Sequence, residues 1–143
     1  MDPDLKREII MNHYLNPFNR QTVTDPKYLK VNGNNESCID NINIFILIED
    51  DLIKDLKFDG EACAISTAAT SIMLKMLIGK TIKEATAMAT EYDKMINEKA
   101  YNQELLAEAN CFDEIYKQQN RKNCALLPWK AIKKVLLDNY KEQ

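Results

Sequence analysis

The feature that most constrains the fold is a change of hydrophobic period near the middle of the chain. From Ile42 to Ile48, isoleucines alternate with other residues, which is the period of a β-strand with one buried face. After Cys63 the apolar residues recur at helical spacing until Gly79, as they do in a helix that packs on a core. The chain is therefore expected to build a small sheet and to continue into helices.

The sheet is predicted to have about three antiparallel strands. Asp50-Asp51 separates the Ile42–Ile48 strand from a second alternating segment that ends at Gly60, which is typical of a hairpin. A weaker strand is predicted at 28–31, and Gly33 is expected to follow its end. One face of the second hairpin strand is predicted to hold Leu52, Leu56 and Phe58, with Ile53 on the other face.

Helical spacing predicts five helices. They are expected near 3–15, 65–77, 81–96, 105–116 and 125–140. Thr81 and Glu84 form the capping-box pattern that opens the third of them. Cys124 is expected to begin the last helix, and Pro128 is expected in its first turn, where amides lack intrahelical partners.

Length, charge and hydropathy narrow the class of protein. The 143 residues suit a single domain spanning 1–143, and the net charge of −3 argues against a nucleic-acid binder. The longest apolar run, Ile44–Ile48, is far shorter than a membrane span, so no membrane segment is expected. Met1–Arg7 has no signal-peptide pattern, so the chain is expected in the cytoplasm.

The four cysteines differ in where the predicted elements place them. Cys38 lies in the loop before the strong strand, Cys63 between strand and helix, and Cys124 at the start of the last helix. Amides at a helix N-terminus favour a thiolate, so Cys63 and Cys124 are candidates for ligation or nucleophilic chemistry. Cys111 lies within a predicted helix and is expected to be a packing residue.

The residues alone leave two interpretations of these cysteines open. The intervals of 25 and 61 residues match no zinc-ribbon or zinc-finger pattern, so all four could be unrelated structural cysteines. If Cys38, Cys63 and Cys124 form a site, their thiolates and the Asp40 carboxylate suit tetrahedral zinc or iron in a sulfide cluster. His13 is expected to pack or cap a helix.

Several segments carry a resemblance to a known family. They are Ile9–Arg20, Cys38-Ile39-Asp40, Phe58–Ser66 with Ser71-Ile72-Met73 and Gly79-Lys80, and Arg121–Trp129. In these segments the chain resembles the NifU/IscU-type iron–sulfur cluster assembly proteins. Asn123 stands where IscU-type members have a histidine, and 97–118 resembles an insertion of SufU-type members, so the resemblance is to the SufU-type branch.

This resemblance implies a fold, a site and partners. The fold would be α+β, with a three-stranded antiparallel sheet packed against about five helices. Cys38, Asp40, Cys63 and Cys124 would bind zinc or an iron–sulfur cluster, with Cys38 as the sulfur acceptor. Arg121 matches a basic position that contacts a cysteine desulfurase of the SufS type, and apo iron–sulfur proteins or downstream carriers would be the other partners.

Three functions remain as alternatives. The chain could be a cluster scaffold, or a zinc-dependent persulfide sulfurtransferase that activates the desulfurase, or a metal-free interaction domain that retains only the fold. In the Cys38 loop, Glu36 and Ile39 replace a proline and a glycine of the family pattern. Because β-branched residues are strained at positive φ, the loop is expected to be rearranged if that glycine serves a positive φ.

Overall fold

A three-stranded antiparallel sheet forms one layer of the molecule. The structure is a computed structural model, and it describes residues 1–35 and 39–140. The strands are β1 (Leu29–Asn34), β2 (Asn41–Glu49) and β3 (Leu52–Glu61), in the order β1-β2-β3. The alternating isoleucines of β2 are fully buried on the inner face: Ile42, Ile44 and Ile46.

Helices cover the inner face of this sheet. The described residues contain α1 (Pro3–Leu15), α2 (Ala64–Leu77), α3 (Ile82–Ile96) and α4 (Gln119–Tyr140). α2 and α4 pack against each other and against the strands, while α1 packs on α2 and α3 packs on α4. The α+β class with a three-stranded antiparallel sheet is therefore confirmed. No described helix combines bilayer-spanning length with sufficient hydropathy.

The predicted faces of β3 are wrong at its start. Leu47 pairs with Asp55, whereas Ile48 pairs with Ile53, so Lys54 is an extra residue in β3 and the register shifts there. Such a β-bulge changes which side chains share a face. Ile53 is consequently fully buried together with the core residues further along β3, not on the opposite face.

Gly33 lies inside β1 and does not follow its end. A Cβ at Gly33 would stand 3.3 Å from Leu127 Cγ and 3.5 Å from the Ala131 Cβ, both in α4. A side chain there would press against α4. The glycine thus permits close packing of α4 on β1, a contact that local sequence patterns do not show.

The predicted helix over 105–116 is a series of short 3₁₀ helices. They span Gln103–Leu105, Ala107–Phe112 and Ile115–Lys117. Ala107 has a positive φ of 43°, which interrupts helical backbone geometry. The Asn110 side-chain amide donates to the carbonyls of Gln103 and Ala107, both at 2.9 Å. These side-chain hydrogen bonds compete with an α-helical pattern.

The last helix begins earlier than predicted. α4 starts at Gln119, so Cys124 lies in its second turn and Pro128 lies in its interior. Both placements differ from the expectation that the helix begins at Cys124. A proline inside a helix cannot donate to the carbonyl four residues earlier, which here belongs to Cys124.

Candidate metal centre

Cys63 occupies the junction between β3 and α2. It is the N-cap residue of α2, with extended backbone angles (φ −66°, ψ 170°), and its Sγ accepts a hydrogen bond from the Ser66 amide at 3.4 Å. A cap uses a side chain to satisfy an amide of the first helical turn. The structure therefore places the Cys63 sulfur at the N-terminus of a helix, as the sequence predicts.

Asp40 precedes β2 and is almost completely buried, with 1% of its surface exposed. Its Oδ1 accepts from the Cys63 amide at 2.7 Å, and its Oδ2 accepts from the Ser66 hydroxyl at 2.6 Å. Burial acts to raise the pKa of this carboxyl, but the hydrogen bonds from Cys63 and Ser66 outweigh it and lower the pKa below its usual value. Asp40 is therefore an ionised carboxylate held inside the protein.

Cys124 contributes a second thiol from α4. The residue is buried, and its thiol donates to the Asn120 carbonyl at 3.5 Å. Burial is the largest cause that raises the pKa of this thiol well above its usual value, and hydrogen bonding with Asp40 and Cys63 raises it further. The expectation that a helix N-terminus favours the Cys124 thiolate is wrong, because α4 begins five residues earlier, at Gln119.

These three side chains converge on one point. Asp40, Cys63 and Cys124 each offer one ligand atom, and the three atoms lie within 4.8 Å of one another. The Cys63 Sγ lies 3.8 Å from the Asp40 Oδ2. On a tetrahedral zinc, with Zn–S about 2.3 Å and Zn–O about 2.1 Å, a sulfur and an oxygen are about 3.6 Å apart. Two thiols and a carboxylate in this arrangement fit three corners of a zinc or iron site.

The loop that contains Cys38 is attached at the edge of this cluster. The Asn35 amide donates to the Asp40 carbonyl at 3.0 Å, which holds the two ends of the loop together. Ile39 is 67% exposed, and the expected rearrangement of the loop falls on residues 36–38, so it stays a prediction. Cys38 itself lies outside the described residues.

Ser66 joins the cluster although the sequence did not identify it as a site residue. Its Oγ lies 3.1 Å from the Cys124 carbonyl oxygen and 3.6 Å from the Cys63 Sγ. The Cys124 carbonyl is available because Pro128 has no amide to donate to it. The only local signal for Ser66 is its spacing, since a residue three positions after an N-cap lies beside that cap.

A groove of about 780 Å³ opens next to the cluster. Cys63 and Cys124 line it together with Ile10 of α1, Arg7 and Arg121. Arg121 is exposed, and no acidic side chain among residues 1–35 and 39–140 lies within ion-pair distance of it. Arg121 therefore lines the same groove as Cys63 and Cys124 without an acidic partner among the described residues.

His13 and Cys111 are placed in structural surroundings. His13 is buried, with Nδ1 2.7 Å from the Ser71 Oγ and Nε2 3.2 Å from the Glu108 Oε1. It thus connects α1 to α2 and to the 3₁₀ segment, which agrees with the expected packing role. Cys111 is also buried, and burial raises the pKa of its thiol well above the usual range.

Comparison with known sequences gives one family match and several relatives. The model of the NifU-like N-terminal domain matches residues 5–143. The chain is 35% identical over 131 residues to the zinc-dependent sulfurtransferase SufU of Bacillus subtilis, covering 91% of this chain and 88% of that protein. It is 34% identical over 104 residues to the iron-sulfur cluster assembly scaffold protein IscU of Thermotoga maritima, covering 73% of each.

Solved structures show the same fold. The SufU protein of Fervidobacterium islandicum AW-1 superposes with a TM-score of 0.85 at 33% identity, covering 90% of this chain and 94% of that chain. A NifU-like protein of Brucella abortus superposes with a TM-score of 0.82 at 18% identity, covering 95% and 94% of the two chains. The second likeness is one of fold alone.

Proposed function

The chain belongs to the NifU-like N-terminal domain family, and from this premise we propose that it is an iron–sulfur cluster assembly protein. In this role it holds zinc or a nascent cluster and accepts sulfur from a cysteine desulfurase. In this role residues 1–143 would act as one domain in the cytoplasm, where thiols stay reduced. The observation that carries it is the convergence of Asp40, Cys63 and Cys124 within 4.8 Å.

Cys38 completes the proposed ligand set. It lies two residues before Asp40 in the chain, and the hydrogen bond between Asn35 and Asp40 ties the loop ends to the cluster. Three thiolates and one carboxylate then give the four ligands of a closed tetrahedral site. A bound metal ion would supply positive charge that keeps the thiols deprotonated, and the Cys124 proton would be released on binding.

Cys38 is also the proposed sulfur acceptor. Its thiolate attacks the terminal sulfur of a persulfide on the desulfurase, so a new S–S bond forms on Cys38. The original S–S bond breaks, and the desulfurase cysteine leaves as a thiolate. Arg121 supports this proposal, because its guanidinium is exposed at the rim of the groove beside Cys63 and Cys124 and suits a carboxylate of the desulfurase. Apo iron–sulfur proteins or carriers would receive the product.

Two relatives of this chain correspond to two forms of the proposed function. The Bacillus subtilis relative, which covers 91% of this chain, is a zinc-dependent sulfurtransferase. The Thermotoga maritima relative, which covers 73% of it, is a cluster assembly scaffold. The SufU protein of Fervidobacterium islandicum AW-1, which covers 90% of this chain, is named a cluster assembly scaffold protein of the SUF system, so cluster assembly stays the first candidate and zinc-dependent sulfur transfer on the same residues is the second.

The experiment is desulfurase turnover, measured as alanine released from cysteine in the presence and absence of this protein. Wild-type protein should stimulate turnover, Cys38→Ser should abolish the stimulation, and Cys111→Ser should retain it. Stimulation that survives in Cys38→Ser would contradict sulfur transfer to Cys38. A wild-type protein that neither stimulates the desulfurase nor binds metal would instead support the metal-free interaction domain.

A further inference from the structure

The Ser66 hydroxyl contacts all three described residues of the candidate centre. Ser66 lies in the first turn of α2 and has no exposed surface. Its Oγ is 2.6 Å from the Asp40 Oδ2, 3.1 Å from the Cys124 carbonyl oxygen and 3.6 Å from the Cys63 Sγ. This fully buried hydroxyl therefore contacts each of the three residues that offer a ligand atom.

The shortest of these contacts determines what the hydroxyl does. A carboxylate oxygen is a stronger acceptor than a neutral carbonyl or thiol, so the single Ser66 proton is donated to the Asp40 Oδ2. The Asp40 Oδ1 already accepts from the Cys63 amide at 2.7 Å. Both oxygens of the carboxylate are thus held, and its plane is fixed.

The fixed carboxylate is directed toward the thiols. The Asp40 Oδ2 lies 3.8 Å from the Cys63 Sγ, which is close to the separation of two ligands on one tetrahedral ion. Without the Ser66 proton, Oδ2 would lose the hydroxyl donor that the described residues give it, and the carboxylate could turn about its Cβ–Cγ bond. Hydrogen bonds of this kind orient carboxylate ligands in metal sites.

We propose, resting on the function proposed above, that Ser66 is the positioning residue of the metal centre. Its hydroxyl holds the Asp40 carboxylate in the direction that a metal ion requires, and it does not ligate the ion itself. Loss of such a partner usually lowers metal affinity about 10- to 100-fold. Ser66→Ala is therefore expected to weaken zinc binding by that factor.

The test measures zinc affinity by chelator competition and records the absorption spectrum of the Co²⁺-loaded full chain. Wild type is compared with Ser66→Ala and with Ser71→Ala as the matched control. Ser71 is an equally buried serine of α2, and its hydroxyl bonds to His13 and Phe18, away from the centre. Ser66→Ala should weaken zinc binding and alter the Co²⁺ spectrum, while Ser71→Ala should leave both unchanged.

A double variant shows whether Ser66 acts through Asp40. In an Asp40→Ala background, Ser66→Ala should cause no further loss of affinity, because the group that it positions is already absent. Equal further losses in both backgrounds would overturn the proposal. Ser66→Thr, which keeps a hydroxyl, should bind zinc almost as wild type does, and a folded threonine variant as weak as Asp40→Ala would also overturn it.

The outcomes separate this inference from the proposed function. If wild type binds zinc and Asp40→Ala weakens the binding while Ser66→Ala does not, the positioning role is wrong and the proposed metal site stands. If wild type binds no zinc at a site that depends on Asp40 and Cys63, the proposed function and the role of Ser66 both fail.

Discussion

Gly60 is the residue at which one added methyl group should disturb both the fold and the candidate centre. It lies in β3 opposite Ile42 of β2, and three residues before Cys63. Its φ is +107°, and a Cβ built there would stand 2.2 Å from the Asn41 carbonyl oxygen. Gly60→Ala therefore combines an unfavourable backbone angle with a backbone clash that no side-chain movement relieves.

The expected loss of stability in Gly60→Ala is the sum of these two contributions. A non-glycine residue in a sparsely populated φ region costs about 1–3 kcal/mol, and relief of an overpacked contact costs about 1–3 kcal/mol more. The free energy of unfolding should therefore fall by about 4 kcal/mol. For a domain of this size, each kcal/mol lowers Tm by about 3 °C, so Gly60→Ala should lower it by about 12 °C.

Gly79→Ala is the matched control for this substitution. Gly79 also has a positive φ, +86°, but nothing lies within 4 Å of its added Cβ. Only the backbone contribution of about 1–2 kcal/mol applies, which corresponds to a decrease in Tm of about 5 °C. Thermal unfolding by circular dichroism compares the two variants, and zinc affinity should fall in Gly60→Ala alone. A Tm decrease in Gly60→Ala no larger than that in Gly79→Ala would refute the reasoning.

Three further predictions concern individual side chains. The pKa of Asp40 is lower in the folded protein than its unfolded value of about 3.9. The ionised carboxylate thus contributes stability at pH values above the unfolded pKa. This contribution is lost as the pH falls through the folded pKa. The advantage of metal-free wild type over Asp40→Asn in urea unfolding should narrow as the pH is lowered, and a constant advantage would be inconsistent with this. His13→Ala removes contacts to Ser71 and Glu108 and should lower the free energy of unfolding by about 2 kcal/mol. The zinc content of His13→Ala should equal that of wild type. A folded His13→Ala variant without zinc would indicate instead that His13 is a ligand. Cys111 should resist iodoacetamide in the native protein and react after denaturation, since burial raises the pKa of its thiol. Peptide mass mapping checks this, and rapid native labelling would show that the thiol is accessible.

Features governed by neighbouring residues could be predicted from the sequence. The alternating isoleucines of β2 and the Thr81–Glu84 capping box depend on contacts within a few residues, and both are present. The Asp50-Asp51 turn is also present, with positive φ at both residues, as a tight type I′ hairpin requires. Distant contacts at these points agree with the local pattern, since the Asp51 carbonyl of the turn accepts from the Ile82 amide, next to the capping box, at 2.9 Å.

Features governed by distant contacts could not be predicted in the same way. The extra residue Lys54 in β3 and the start of α4 at Gln119 depend on how the elements pack. The contact of Ser66 with the Cys124 carbonyl requires α4 to lie across the first turn of α2 and Pro128 to leave that carbonyl free. The residue types of the site were therefore predictable, whereas their hydrogen bonds were not.

Metal content of the full chain tests the central claim most directly. Protein purified without oxygen or chelator is analysed for zinc, iron and acid-labile sulfide, with Cys63→Ser and Asp40→Ala as site variants and Cys111→Ser as the control. We expect about one zinc, or iron with sulfide, per wild-type chain, with a lower metal content in both site variants and an unchanged content in Cys111→Ser. Wild-type protein that stays metal-free after loading, or equal metal in all four proteins, would contradict a centre built on Asp40, Cys63 and Cys124.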